Sequence, residues 1–197
     1  GKSLTSVGKR ETIMNYADIK QYDIANGPGV RISVFVSGCT HHCKNCFNPE
    51  TWDFNYGSLF TSGTINTILE DMSPNFIRGL TILGGEPFEH TNQFGLLPLV
   101  RAVKEKYPHK SIWCYTGYLF DENILKDMVP KWPETTELLS YIDVLVDGPF
   151  IEERKNPNVK FRGSDNQRII RVKDSMKSGK IVLWDESQDF FPKDFNN

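Results

Sequence analysis

Apolar positions along the chain switch between a period of two and a period near 3.6, and the switches mark the elements. Residues 31–37 (Arg-Ile-Ser-Val-Phe-Val-Ser) are β-branched and apolar between Gly29 and Gly38, which predicts a buried strand. From Thr64 the apolar positions Ile65, Ile68, Leu69 and Met72 recur at helical spacing, and Pro74 follows as a stop. Residues 80–83 form a second short apolar run that ends in Gly84, Gly85, Glu86 and Pro87. Leu96, Leu97, Val100, Val103 and Tyr107 then describe another helix, halted by Pro108. Residues 112–115 predict a third strand, 121–128 a short helix capped by Asp121, and 143–146 a fourth strand. A further strand is expected at 168–172 and one more short one at 181–184.

Strands that alternate with helices imply parallel strands joined by crossovers, an α/β protein. The strand–helix units fall short of the eight of a full barrel, so the expected fold is a partial, open (β/α) barrel. Ligands in such folds bind past the carboxyl ends of the strands. Residues 39–46, 84–87, 116–117 and 147–148 follow those ends and are expected to share one rim.

The chain has 197 residues, a formal charge of −2 and a pI near 6.1. The length suits one domain, and the charge gives no bulk attraction to nucleic acid or an anionic membrane. No apolar run approaches the roughly 18 residues of a membrane span, which predicts a soluble, cytoplasmic protein. Residues 1–13 are polar and aperiodic and read as a leader or flexible extension, with Met14 a candidate start. Residues 14–186 read as the single domain, and 187–197, with Phe190, Phe191 and Phe195 among charges, as a tail or docking segment.

The most specific chemical signal is Cys39, Cys43 and Cys46, a C-x3-C-x2-C triplet at the end of the first predicted strand. Crowded cysteines in one loop point to metal in a reducing compartment rather than to disulfides. Three thiolates are one short of the usual complement of a four-iron cluster, and a site one ligand short keeps a position open for substrate. The alternative is structural zinc held by the three cysteines plus His41 or His42. Cys114 lies in an apolar strand and reads as a small buried hydrophobe. Read alone, Gly84 to Pro87 is a tight turn, Glu86 a surface carboxylate, and Phe47 a core residue.

Together these segments resemble the radical S-adenosylmethionine superfamily, and within it the branch of activases for anaerobic ribonucleotide reductase. Six stretches carry the resemblance in order: residues 26–31, 38–48, 84–87, 113–118, 146–150 and 162–167. The resemblance implies that Cys39, Cys43 and Cys46 each ligate one iron of a 4Fe-4S cluster, with S-adenosylmethionine chelating the fourth iron. It implies a partial, open barrel of the radical S-adenosylmethionine type. Gly84, Gly85 and Glu86 match the methionine-binding motif, with Glu86 bringing negative charge near the ammonium group. Many members carry an aromatic just before the third cysteine; here Asn45 stands there and Phe47 follows, so Asn45 to Phe47 are expected to contact the nucleoside. Thr116 is expected beside the cofactor. The implied reaction uses an electron from a flavodoxin-like donor to cleave S-adenosylmethionine to a 5′-deoxyadenosyl radical. That radical would take hydrogen from a glycine of the large subunit of an anaerobic ribonucleoside-triphosphate reductase. No side chain is assigned as an acid or base.

Overall fold

A computed structural model describes residues 14–188. The leader at 1–13 and residues 189–197 of the expected tail lie outside the described residues. The seven strands are β1 (Asn15–Asp23), β2 (Val30–Val36), β3 (Ser58–Leu59), β4 (Ile77–Gly84), β5 (Ser111–Tyr115), β6 (Val144–Asp147) and β7 (Arg168–Arg171). They form one sheet in the order β3-β1-β2-β4-β5-β6-β7, and the sheet does not close on itself. The four central strands β2, β4, β5 and β6 run parallel. The flanking strands β1, β3 and β7 are antiparallel to their neighbours, so the sheet is mixed at both edges rather than parallel throughout.

The helices are α1 (Ser62–Asp71), α2 (His90–Lys106), α3 (Val129–Lys131), α4 (Pro133–Tyr141) and α5 (Val172–Ser178). Thr61 and Thr64 close a reciprocal capping box at the start of α1, which is why the helix begins ahead of its first apolar position. The helix expected at 121–128 is a π-helix, Phe120–Met128, that runs on into α3. Asp121 does not cap it: Leu119 holds the cap position, and the Asp121 carboxylate pairs with Arg168 at 2.9 Å. The strand expected at 181–184 reduces to a single bridge between Ile170 and Leu183.

Side chains alternate across the central strands and so divide the sheet into two unlike faces. Ile32, Val34, Val36, Leu80, Ile82, Ile112, Cys114 and Leu145 join Leu96, Val100, Leu138 and Leu139 of the helices in the main core. The opposite face is polar and aromatic, with Arg31, Ser33 and Thr81 beside Trp113 and Val146, all buried. Arg31 is wholly buried. Its guanidinium donates to Thr81 Oγ1 at 2.8 Å, to the carbonyls of Ser111 at 2.9 Å and Leu80 at 3.0 Å, and lies 5.8 Å over the Trp113 ring.

Gly79 leaves the room for this arrangement. A Cβ there would stand 2.0 Å from the Ser111 carbonyl oxygen and 2.6 Å from Arg31 Nη2. A backbone oxygen inside a parallel pairing cannot rotate away, so Gly79→Ala is expected to cost about 3 kcal/mol, the upper end of overpacking. Thermal unfolding should register a drop of about 6–12 °C, at about 2–4 °C per kcal/mol.

Candidate active site

In the β2–β4 register Val36 stands opposite Gly84, so the cysteine loop and the Gly85–Glu86 turn leave the sheet side by side. The ends of β5 and β6 follow on the same rim, and Tyr115 pairs with Val146. Over them lies the connection between β6 and β7. Together these segments enclose a cavity of about 550 Å³. Cys39, Cys43 and Cys46 all line it, as do Phe47, Gly84, Gly85, Glu86 and Thr116. Asn45 does not; it sits at φ 55°, a left-handed turn position between two ligand candidates. Cys114 is fully buried on the helix side of β5, away from the cavity.

The cysteine loop is tied down at both ends. Gly38 N–H donates to the Thr51 carbonyl at 2.7 Å, Glu86 N–H to the Gly38 carbonyl at 2.7 Å, and the Asn92 amide to the Ser37 carbonyl at 3.0 Å. Thr51 N–H and its hydroxyl both reach the Asn48 carbonyl, at 3.0 and 2.6 Å. Gly85 is glycine because a Cβ would stand 2.6 Å from the Gly38 oxygen and 2.8 Å from that of Thr51. The close approach here is to the chain's own cysteine loop.

Glu86 is almost wholly buried, not a surface carboxylate. Oε1 lies 2.7 Å from His41 Nε2 and accepts from Gly117 N–H at 2.7 Å and Thr116 Oγ1 at 2.9 Å. Oε2 accepts from Phe88 N–H at 2.7 Å and from Thr116 Oγ1 at 3.0 Å. A carboxylate offers about four lone-pair sites, and four groups fill them here. Burial pulls the His41 imidazole toward the neutral form, but the hydrogen bond and charge of Glu86, with Glu89 beyond, outweigh it and hold the ring's pKa up.

Burial pushes the Cys39 thiol up to about 11, and the nearby backbone N–H groups of His41 and His42 offset that rise only in part. The Cys43 thiol is also raised, first by burial, with the backbone N–H of Phe150 opposing the rise in part. These are thiols that a bound cation would convert to thiolates, since metal binding and proton release go together. All four cysteines are free of disulfides. Among the described residues no three His, Cys, Asp or Glu side chains converge as they would on a single metal ion. The histidines weighed as a fourth zinc ligand have other partners: His41 is bonded to Glu86, and His42 stacks on Trp52 at 4.4 Å. Donor set and cavity size both suit a larger, thiolate-held group.

The far wall was only partly legible from sequence. Gly148, Phe150, Arg162 and Gln167 come from two of the resembling stretches, but Lys155 and Phe161 come from a polar, aperiodic segment. Lys155 lies 5.3 Å over the Phe47 ring, and Phe47 packs on Phe150 at 4.8 Å. Phe47 is more than half exposed, so it belongs to the cavity mouth and not to the core.

A family model described as a 4Fe-4S single cluster domain matches residues 25–170, a span that holds every cavity-lining residue. A curated relative from Haemophilus influenzae is 43% identical over 162 residues, covering 81% of this chain and 99% of its own. One from Enterobacteria phage T4 is 41% identical over 157 residues, 79% and 93% of the two chains. One from Escherichia coli K12 is 38% identical over 162 residues, 81% and 100% of the two chains. All three are named anaerobic ribonucleoside-triphosphate reductase-activating protein. The chain belongs to this family of reductase-activating proteins. In this activating-protein chain the iron–sulfur match falls where three free cysteines face one cavity. No helix among its described residues is long and apolar enough to cross a membrane.

Proposed function

We propose that the protein activates an anaerobic ribonucleotide reductase by generating a glycyl radical on its large subunit, at a 4Fe-4S cluster held by Cys39, Cys43 and Cys46. In this reading the open sheet is a partial (β/α) barrel of the radical S-adenosylmethionine type, working in the cytoplasm with a flavodoxin-like electron donor. When bound and reduced, the cluster supplies the electron that cleaves S-adenosylmethionine to methionine and a 5′-deoxyadenosyl radical. The chain's own residues bind, orient and shield.

Three thiolates hold the cluster and leave one position for the cofactor. The turn of Gly84, Gly85 and Glu86 forms the neighbouring wall, where Glu86 contributes its charge toward the methionine ammonium while its oxygens stay bonded to the protein. Lys155 and Arg162 bring positive charge to the far wall of the cavity. Asn45, Phe47 and Thr116 complete the cofactor-binding set, Phe47 at the mouth and Thr116 beside Glu86. The open edge of the sheet admits a loop of a larger partner.

The observation that carries this reading is the meeting of three free cysteines with the Gly85–Glu86 turn on one cavity. The test is anaerobic mixing of reconstituted protein, reductant, S-adenosylmethionine and the partner reductase. A glycyl radical doublet should appear in the electron paramagnetic resonance spectrum of the reductase, and its absence would refute the assignment.

A further inference from the structure

We infer that Trp184 is a positioning residue for the cavity: it holds Phe161 in a left-handed turn that sets the wall formed by residues 161–163. The inference takes the cavity as the seat of S-adenosylmethionine, as proposed above, and concerns a residue that does not line it.

Trp184 lies beyond residue 170, where the family match ends. Backbone pairing returns it to the sheet: its N–H donates to the Ile169 carbonyl at 2.8 Å, and Arg171 N–H donates to that of Val182 at 2.9 Å. Its ring then meets Trp113 edge-on at 5.0 Å and Phe161 at 6.0 Å, while Phe161 meets Trp113 at 5.5 Å. Three rings thus close a small cluster on the polar face of the sheet, apart from the main core.

Phe161 needs such a grip. It sits at φ 60°, a region that a bulky side chain occupies only when its surroundings over-determine it. The Phe161 carbonyl accepts from the Tyr115 hydroxyl at 2.6 Å, and the ring is caged by Trp113 and Trp184. Tyr115 and Trp113 belong to β5 and are fixed by the sheet. Trp184 is the part of the cage supplied by another segment.

The turn matters because of what it places. Phe161, Arg162 and Gly163 all line the cavity. Gly163 sits so close beneath the mouth that a Cβ would stand 3.0 Å from Phe150 Cδ2 and 3.1 Å from Phe47 Cε2. Its N–H donates to Gln167 Oε1 at 2.8 Å, and the Gln167 amide donates to the Gly148 carbonyl at 3.0 Å. Relaxing Phe161 out of the left-handed region would swing the two following residues off these partners. The cavity would lose a fitted wall and keep its cysteines, so affinity falls more than rate.

The test measures hydrogen exchange on the cluster-free protein and S-adenosylmethionine binding on the reconstituted one. In Trp184→Ala the amides of Gly163, Ser164 and Asp165 are expected to exchange about tenfold faster relative to those of β4, the mark of local opening. The Kd for S-adenosylmethionine should rise about tenfold, within what one strained residue commonly stores. Cleavage at saturating cofactor should stay within about twofold of the parent, as for a loss of uniform binding. Trp184→Phe keeps an aromatic edge against Phe161 and should return exchange and affinity to parental values. Glycine adopts positive φ freely, so adding Trp184→Ala to Phe161→Gly should change neither quantity further. Acceleration at 163–165 no greater than in β4 would overturn the inference, because Trp184 would then serve only global stability. So would parental affinity in Trp184→Ala, or additive effects in the double variant. Should Trp184→Ala not fold, Trp184→Leu decides by the same rules. A parent that binds no S-adenosylmethionine would refute the proposed function instead, and the exchange rates would still decide the role of Trp184 at the turn.

Discussion

Replacing any one of Cys39, Cys43 or Cys46 by alanine is expected to abolish stable cluster uptake, with S-adenosylmethionine cleavage falling to background. The candidate replacements beside the loop among the described residues are engaged elsewhere: Glu86 with four donors, Glu89 with Thr40, His41 with Glu86, and His42 with Trp52. Cys39 should be the least forgiving of the three, because it is buried while Cys43 and Cys46 are only half-buried. Cys114→Ala provides the contrast. That thiol lies in the core on the helix side of β5, so its loss removes one buried heavy atom, costs about 1 kcal/mol, and leaves the cluster intact. Iron and sulfide analysis of the four reconstituted variants checks both halves. Loss of iron from Cys114→Ala alone would sink the ligand assignment.

The parallel centre of the sheet was legible because β2, β4, β5 and β6 are buried on both faces and read as short apolar runs between turn residues. β1 was not: Asn15–Asp23 mixes exposed and half-buried positions without clean alternation, and is held by pairing with both β2 and β3. β7 carries arginine at both ends, and its antiparallel direction depends on the path of the 148–167 connection, which periodicity does not encode. Helix α4 escaped notice because its buried Thr135, Leu138 and Leu139 are too few to establish a period. At the site the cysteines announced themselves by spacing. The meaning of Glu86 did not, since a carboxylate in a Gly-Gly-Glu-Pro turn looks the same whether exposed or bonded to four groups from three parts of the chain. Only the fold could show that Arg31 is buried against Trp113.

That fourfold bonding gives Glu86→Ala a large expected effect on stability, apart from any effect on chemistry. The substitution strips the acceptor from His41 Nε2, Thr116 Oγ1, and the N–H groups of Gly117 and Phe88. An unsatisfied buried donor costs about 1–3 kcal/mol. Four such costs do not add, because the groups share one partner and the vacated space opens on the cavity, where water can enter. A net loss of about 3–5 kcal/mol follows, a large share of the roughly 5–15 kcal/mol that holds a domain together. Glu86→Gln keeps the volume and one oxygen but turns an amide nitrogen toward groups that are themselves donors, so it should fall between parent and alanine. Urea unfolding of the cluster-free protein under anaerobic, reducing conditions reads this directly, as a lower midpoint at unchanged slope. If the carboxylate served only a bound ammonium, both variants would unfold at the parental midpoint and fail only in binding S-adenosylmethionine. A bracing role instead requires the midpoint to fall before any cofactor is added.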